Sequence, residues 1–175
     1  MTDRVLVVGV GNDLLGDDGF GIVALRRLAA RGVPAGVELL ETGIAGVALA
    51  QELVAGYDAV IVLDAADSGS PPGTLKLLTV DVPDPARLGA DERRALMSDM
   101  HRAVPSLALV LARALNALPP RVFILGCQPG STDLGMGLSQ PVALAVEAAV
   151  ERVLEMIHVQ GRAEAHPRAL VETRA

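Results

Sequence analysis

Short runs of branched aliphatic residues constrain this chain more than any other feature. Val5-Leu6-Val7-Val8, Ala59-Val60-Ile61-Val62-Leu63 and Val122-Phe123-Ile124-Leu125 are continuous and apolar, and Val37-Glu38-Leu39-Leu40 is a fourth, less regular run. Continuous runs this short and rich in β-branched residues fit strands buried on both faces. Between them, apolar residues recur three and four apart, as on one face of a helix. That spacing predicts helices over residues 22–28, 47–54, 106–115 and 142–157. Gly32 and Pro34 stop the first, and Pro105 sits in the first turn of the third, which starts near Ala103. Residues 74–80, after the turn Pro71-Pro72-Gly73, alternate weakly and suit an edge strand, and residues 81–90 read as a Pro/Asp-rich loop. The alternation of strand and helix predicts an α/β fold in three layers, a twisted and mostly parallel sheet with helices on both faces. A single domain is expected over residues 1–160, with residues 161–175 a disordered polar tail.

Composition removes several function classes. Hydrophobic residues make up 51% of the 175 residues, enough for a packed core, but only 2% are aromatic. A base-stacking nucleic-acid platform is therefore not expected, and a formal net charge of −6 argues against binding a phosphate backbone. No apolar run is long enough to span a bilayer, and residues 1–4 lack the features of a signal peptide. With a lone cysteine, Cys127, no internal disulfide can form. A cytoplasmic protein is expected, without nucleic-acid or membrane partners.

In parallel α/β sheets ligands bind beyond the carboxyl ends of the strands. There the sequence places a glycine- and acid-rich block from Gly9 to Gly21, then Glu41-Thr42-Gly43, Asp64-Ala65-Ala66-Asp67, and Gly126-Cys127-Gln128-Pro129-Gly130. Gly9-Val10-Gly11 after a strand suggests a dinucleotide site, but Leu14 stands where the third glycine is needed, and Asp13, Asp17 and Asp18 would repel a pyrophosphate. No phosphate-binding loop or nucleophile elbow is present. Asp17 reads as a helix cap and Asp67 as a solvated loop acid. Asp18 and Asp64 are different, because both should reach the same sheet edge, and an acid ending an apolar strand must be paired, hydrogen-bonded or metal-bound. His101 lies in a polar connection and could complete an Asp/Asp/His set suited to a divalent ion. His158 ends a helix, His166 lies in the tail, and Cys127 reads as a small buried hydrophobe.

These residues carry a resemblance. Val8-Gly9-Val10-Gly11-Asn12-Asp13-Leu14-Leu15-Gly16-Asp17-Asp18-Gly19-Phe20-Gly21, then Thr42-Gly43-Ile44-Ala45-Gly46, Val62-Leu63-Asp64-Ala65, Gly126-Cys127-Gln128-Pro129 and Gly137-Leu138-Ser139 occur in the order found in the nickel-iron hydrogenase maturation endopeptidases, which the chain resembles. The resemblance implies a phosphorylase/hydrolase-like α/β fold. It also implies removal of a C-terminal extension from a hydrogenase large-subunit precursor after nickel insertion. The metal-contacting and catalytic residues it assigns are Asp18, where the family often has Glu, Asp64 and His101. Nickel is then expected to arrive with the precursor, and the same donors would accept zinc or cadmium. Either an aspartic-type or a metal-dependent hydrolase satisfies this pattern. The alternative is a metal-binding or chaperone-like module that holds the precursor without cutting it.

Overall fold

The computed structural model describes residues 3–43, 47–84, 86–89, 91–92 and 104–160. His101 and residues 161–175 lie outside the described residues. The five-stranded sheet contains β1 (Val5–Val10), β2 (Val37–Thr42), β3 (Ala59–Ala65), β4 (Leu75–Thr79) and β5 (Arg121–Cys127), in the order β2-β1-β3-β5-β4. Pairings among β2, β1, β3 and β5 are parallel, and β4 joins β5 antiparallel at the edge. The sequence reading thus stands for a mostly parallel sheet with an edge strand near residues 74–80.

The helices described are α1 (Phe20–Arg31), α2 (Val47–Leu53), α3 (Val104–Ala114) and α4 (Gln140–Gln160). Alternate strand residues feed two cores, because successive side chains of a strand point to opposite faces. Val5, Val7, Ala59, Ile61 and Leu63 pack with Phe20, Leu25 and Leu28 of α1 and Val146, Val150 and Val153 of α4. Leu6, Val8, Val60 and Val62 pack with Leu49 and Leu53 of α2 and Leu109 and Ala112 of α3. Both faces of β1 and β3 are therefore covered, which explains why those runs are apolar without alternation.

β1 has β2 on one side and β3 on the other, so the chain's progress across the sheet reverses between β1 and β3. The crevice beyond such a reversal is where open α/β sheets hold ligands. Glycine brings α1 down onto it. A β-carbon on Gly21 would lie 2.2 Å from the Leu63 carbonyl oxygen and 2.3 Å from that of Val10, so no other residue allows α1 to begin against β1 and β3. Gly11 has φ +143°, and a β-carbon there would lie 1.9 Å from the Asp18 carbonyl oxygen. The glycine-rich block is thus a device for close backbone packing, with the acids carried on the turn it permits.

Candidate active site

Asp18 and Asp64 meet at this crevice. Asp18 lies in a single 3₁₀ turn, Gly16–Gly19, that joins the glycine-rich loop to α1. Asp64 is paired with Gly126 near the end of β3, where the strand emerges from the core. Both acids are partly buried. Burial raises the Asp64 carboxyl, the negative charge on Asp18 raises it further, and the Ala65 N–H only partly offsets these, so it titrates at about 7. Asp18 is also raised by burial, with the Asn12 N–H drawing it back. Among the described residues neither acid has an ion-pair partner, and no group of three acid, histidine or cysteine side chains converges to hold a metal. The pair is an uncompensated concentration of negative charge, which a divalent cation would relieve.

A cleft of about 460 Å³ opens beside the pair, with Asp18 and Ala65 on its walls and residues 128–132 opposite. Another cleft, of about 360 Å³, lies toward the start of β5 beside Arg113 and Pro120 and carries one acid, Asp81; it does not bring two carboxylates together. The site chosen by the chemistry is the former.

Asp17 corrects the sequence reading. It is fully buried, yet no side-chain hydrogen bond caps its own helical turn. Its carboxylate instead accepts the N–H groups of Gly130 at 2.7 Å and Ser131 at 3.1 Å, and both the N–H and the hydroxyl of Ser139 at 2.6 and 2.8 Å. Burial alone would raise this carboxyl, but the three N–H groups and the hydroxyl together hold it below its ordinary value. The amides it satisfies belong to the segment after β5 and the start of α4, more than a hundred residues away in sequence. Local spacing suggested a cap because an acid at a helix start usually finds its donors there.

These observations come together with a family match. The model of the hydrogenase maturation protease family matches residues 22–156. The chain belongs to this family. It is 35% identical over 160 residues to the hydrogenase expression/formation protein HoxM of Azotobacter vinelandii, covering 90% of this chain and 74% of that one. Among solved structures, the hydrogenase 2 maturation peptidase of a Thaumarchaeota archaeon superposes with a TM-score of 0.67 at 35% identity, covering 89% and 99% of the two chains. The hydrogenase maturating endopeptidase HybD of E. coli superposes with a TM-score of 0.73 at 29% identity, covering 90% and 94%. The family is one of peptidases that act in hydrogenase maturation.

In this maturation protease the remaining candidates divide clearly. Cys127 is fully buried, and burial followed by the charge of Asp17 pushes its thiol up to about 11. It is a packing residue, as its position after a strand suggested, and not a nucleophile. Gln128 was quoted in the sequence only within the stretch after the last strand and in the resemblance, with no role of its own, yet it organises one wall of the cleft. Its side-chain oxygen accepts the Ser68 and Ser70 N–H groups at 2.7 and 3.2 Å, and its amide nitrogen donates to Asp67 at 3.1 Å. A polar residue directly after a buried strand had to find such partners, which was the available signal. Asp67 is exposed, matching its reading as a solvated loop acid. His158 contacts the Leu154 carbonyl at 2.6 Å near the end of α4, a structural placement. Among the described residues no helix is long and apolar enough to cross a membrane.

Proposed function

We propose that this protein is an endopeptidase that removes a C-terminal extension from the large-subunit precursor of a nickel-iron hydrogenase once nickel has been inserted. In this reading nickel belongs to the substrate. Asp18 and Asp64 meet it through carboxylate oxygens, and His101, assigned by the resemblance, supplies a nitrogen. The observation that carries the reading is the meeting of two partly buried, like-charged carboxyls at the carboxyl edge of the sheet, with no ion-pair partner among the described residues.

The chemistry follows from that pair. An empty precursor faces two acids of which one, Asp64, is still partly protonated near neutral pH. A loaded precursor brings positive charge that favours the ionised form of both, so the site is electrostatically complete only when the substrate carries its metal. Oxygen and nitrogen donors of this kind do not discriminate strongly among first-row divalent ions. Selectivity then comes from the precursor, which presents its metal at one fixed place. The bond cut is an amide, attacked by water. A carboxylate of the pair, ionised once the metal is in place, accepts the proton that water gives up. The carboxyl so formed returns that proton to the leaving amine as the extension departs.

The experiment is to incubate the purified protein with nickel-loaded and nickel-free precursor and weigh the products. A shortened large subunit and a released peptide from the loaded form alone are expected. Intact precursor in both tubes, with a stable complex, would instead mark a non-cleaving chaperone.

A further inference from the structure

Leu14, Leu134 and Met136 are 55%, 86% and 84% exposed, although the loops carrying them are firmly held. Gly135 donates its N–H to the Leu14 carbonyl at 2.9 Å and accepts the Gly16 N–H at 2.8 Å, forming a one-residue parallel bridge with Leu15. On one side of this fastening the Ser131 carbonyl accepts the Asp17 N–H at 3.0 Å. On the other, Ser139 is bonded to the Asp17 carboxylate. Leu134 and Met136 flank the middle fastening. A segment fastened at three points cannot fold these side chains inward to escape water. Clustered large apolar side chains held in solvent mark interaction surfaces more often than idle ones.

Their position says what the partner is. Ser131 and Thr132 line the cleft that Asp18 enters, and Leu134 follows two residues later. Beside its polar groups, Asp18, Asp67, Gln128 and Ser131, the cleft offers only Ala65 and Pro129 as apolar residues with which to hold a protein chain. We infer that Leu14, Leu134 and Met136 form the docking patch for an apolar segment of the hydrogenase precursor, beside the bond cut at Asp18 and Asp64. This inference rests on the endopeptidase reading. The patch continues along the chain from the cleft rim at Ser131 and Thr132, so a substrate held in the cleft is the occupant it fits, and a second copy of this chain is an outcome of the test.

The test is steady-state cleavage of nickel-loaded precursor by wild type, by the double variant L134D/M136D, and by Val54→Ser, which alters an exposed residue just beyond α2. The double variant should raise KM by about ten- to a hundredfold, with kcat within about twofold, because uniform binding is lost and the acids are untouched. Val54→Ser should leave both constants unchanged. If the double variant loses its circular dichroism signature, Leu134→Ser and Met136→Ser, read singly, serve the same purpose. An unchanged KM in a protein that cuts normally overturns the docking patch and leaves the endopeptidase standing. So does sedimentation of wild type as a dimer that the double variant dissolves while KM stays fixed. A wild-type protein that never cuts loaded precursor defeats the endopeptidase reading, and the docking patch with it.

Discussion

The Asp64 carboxyl keeps its proton to about pH 7 in the folded protein, whereas the unfolded chain releases it near 3.8. Between those values the unfolded state binds fewer protons, so this group lowers stability as pH rises through the window. A difference of this size corresponds to roughly 4 kcal/mol when the charge is fully formed. Asp64→Asn should therefore abolish processing yet stabilise the protein, by little at pH 4 and by about 2–4 kcal/mol at pH 8, measured by denaturant unfolding at the two pH values. A destabilised variant at pH 8 would mean that the buried charge is not the liability described. Asp17 has the opposite sign. Its folded carboxyl is held low by four donated hydrogen bonds, so it contributes stability above the ordinary carboxylate range and loses it as pH falls. Asp17→Ala leaves the N–H groups of Gly130, Ser131 and Ser139 without their acceptor and should cost about 3 kcal/mol, whereas Asp18→Asn should stay folded and be no less stable than wild type at neutral pH, since burial and its neighbour Asp64 disfavour the charge it removes. Thermal unfolding of the two variants separates an anchoring acid from a functional one, and equal destabilisation would contradict the assignment. The sequence reading set Asp17 apart from Asp18 as structural but gave it the wrong partners. The right ones are donors that lie across the fold, and no local pattern contains that.

At the scale of elements, the strands were legible because burial on both faces leaves nothing but apolar residues to read. β1 and β3 are fully apolar across their central positions, and their predicted ends fell within a residue or two of the observed ones. The edge strand β4 was harder to read, since its side chains are only half-buried or exposed and the alternation is correspondingly weak. The glycine-rich block was recognisable as special, but its physical reason was not. Gly21 is required because α1 starts against the Leu63 and Val10 carbonyls, a contact between elements and not a property of the turn. Gly21→Ala should force α1 away from β1 and β3 and cost about 3 kcal/mol or more. It should also lower the cleavage rate, because α1 follows directly from the turn that carries Asp18. Unfolding curves and precursor cleavage on the same preparation check both, and a variant with native stability would refute the close approach. Gln128 shows the same limit, since its partners Ser68 and Ser70 lie on another loop.

Across the whole molecule, three loops from three strands meet at one sheet edge. Asp17 ties the first to the third and Gln128 ties the second to the third, leaving Asp18 on the wall of the cleft between them and Asp64 near enough to feel its charge. In the proposed reading this is a peptidase whose trigger is delivered by its substrate, with two neighbouring carboxyls that ionise together only once positive charge is brought in. His101 belongs to a stretch outside the described residues, so its part in the set rests on the resemblance alone and is for experiment to test. The sequence reading placed Asp18 and Asp64 together because strand ends are predictable in parallel sheets. It could not show how exposed the cleft is, or which neighbours hold its walls. The most direct measurement is the rate of precursor cleavage against nickel occupancy for wild type, Asp18→Glu and Asp18→Asn. Wild type should cut in proportion to occupancy, Asp18→Glu should follow it, and Asp18→Asn should fall by at least about a hundredfold. Equal rates on loaded and empty precursor, or an Asp18→Asn variant as fast as wild type, would show that these acids do not read the metal.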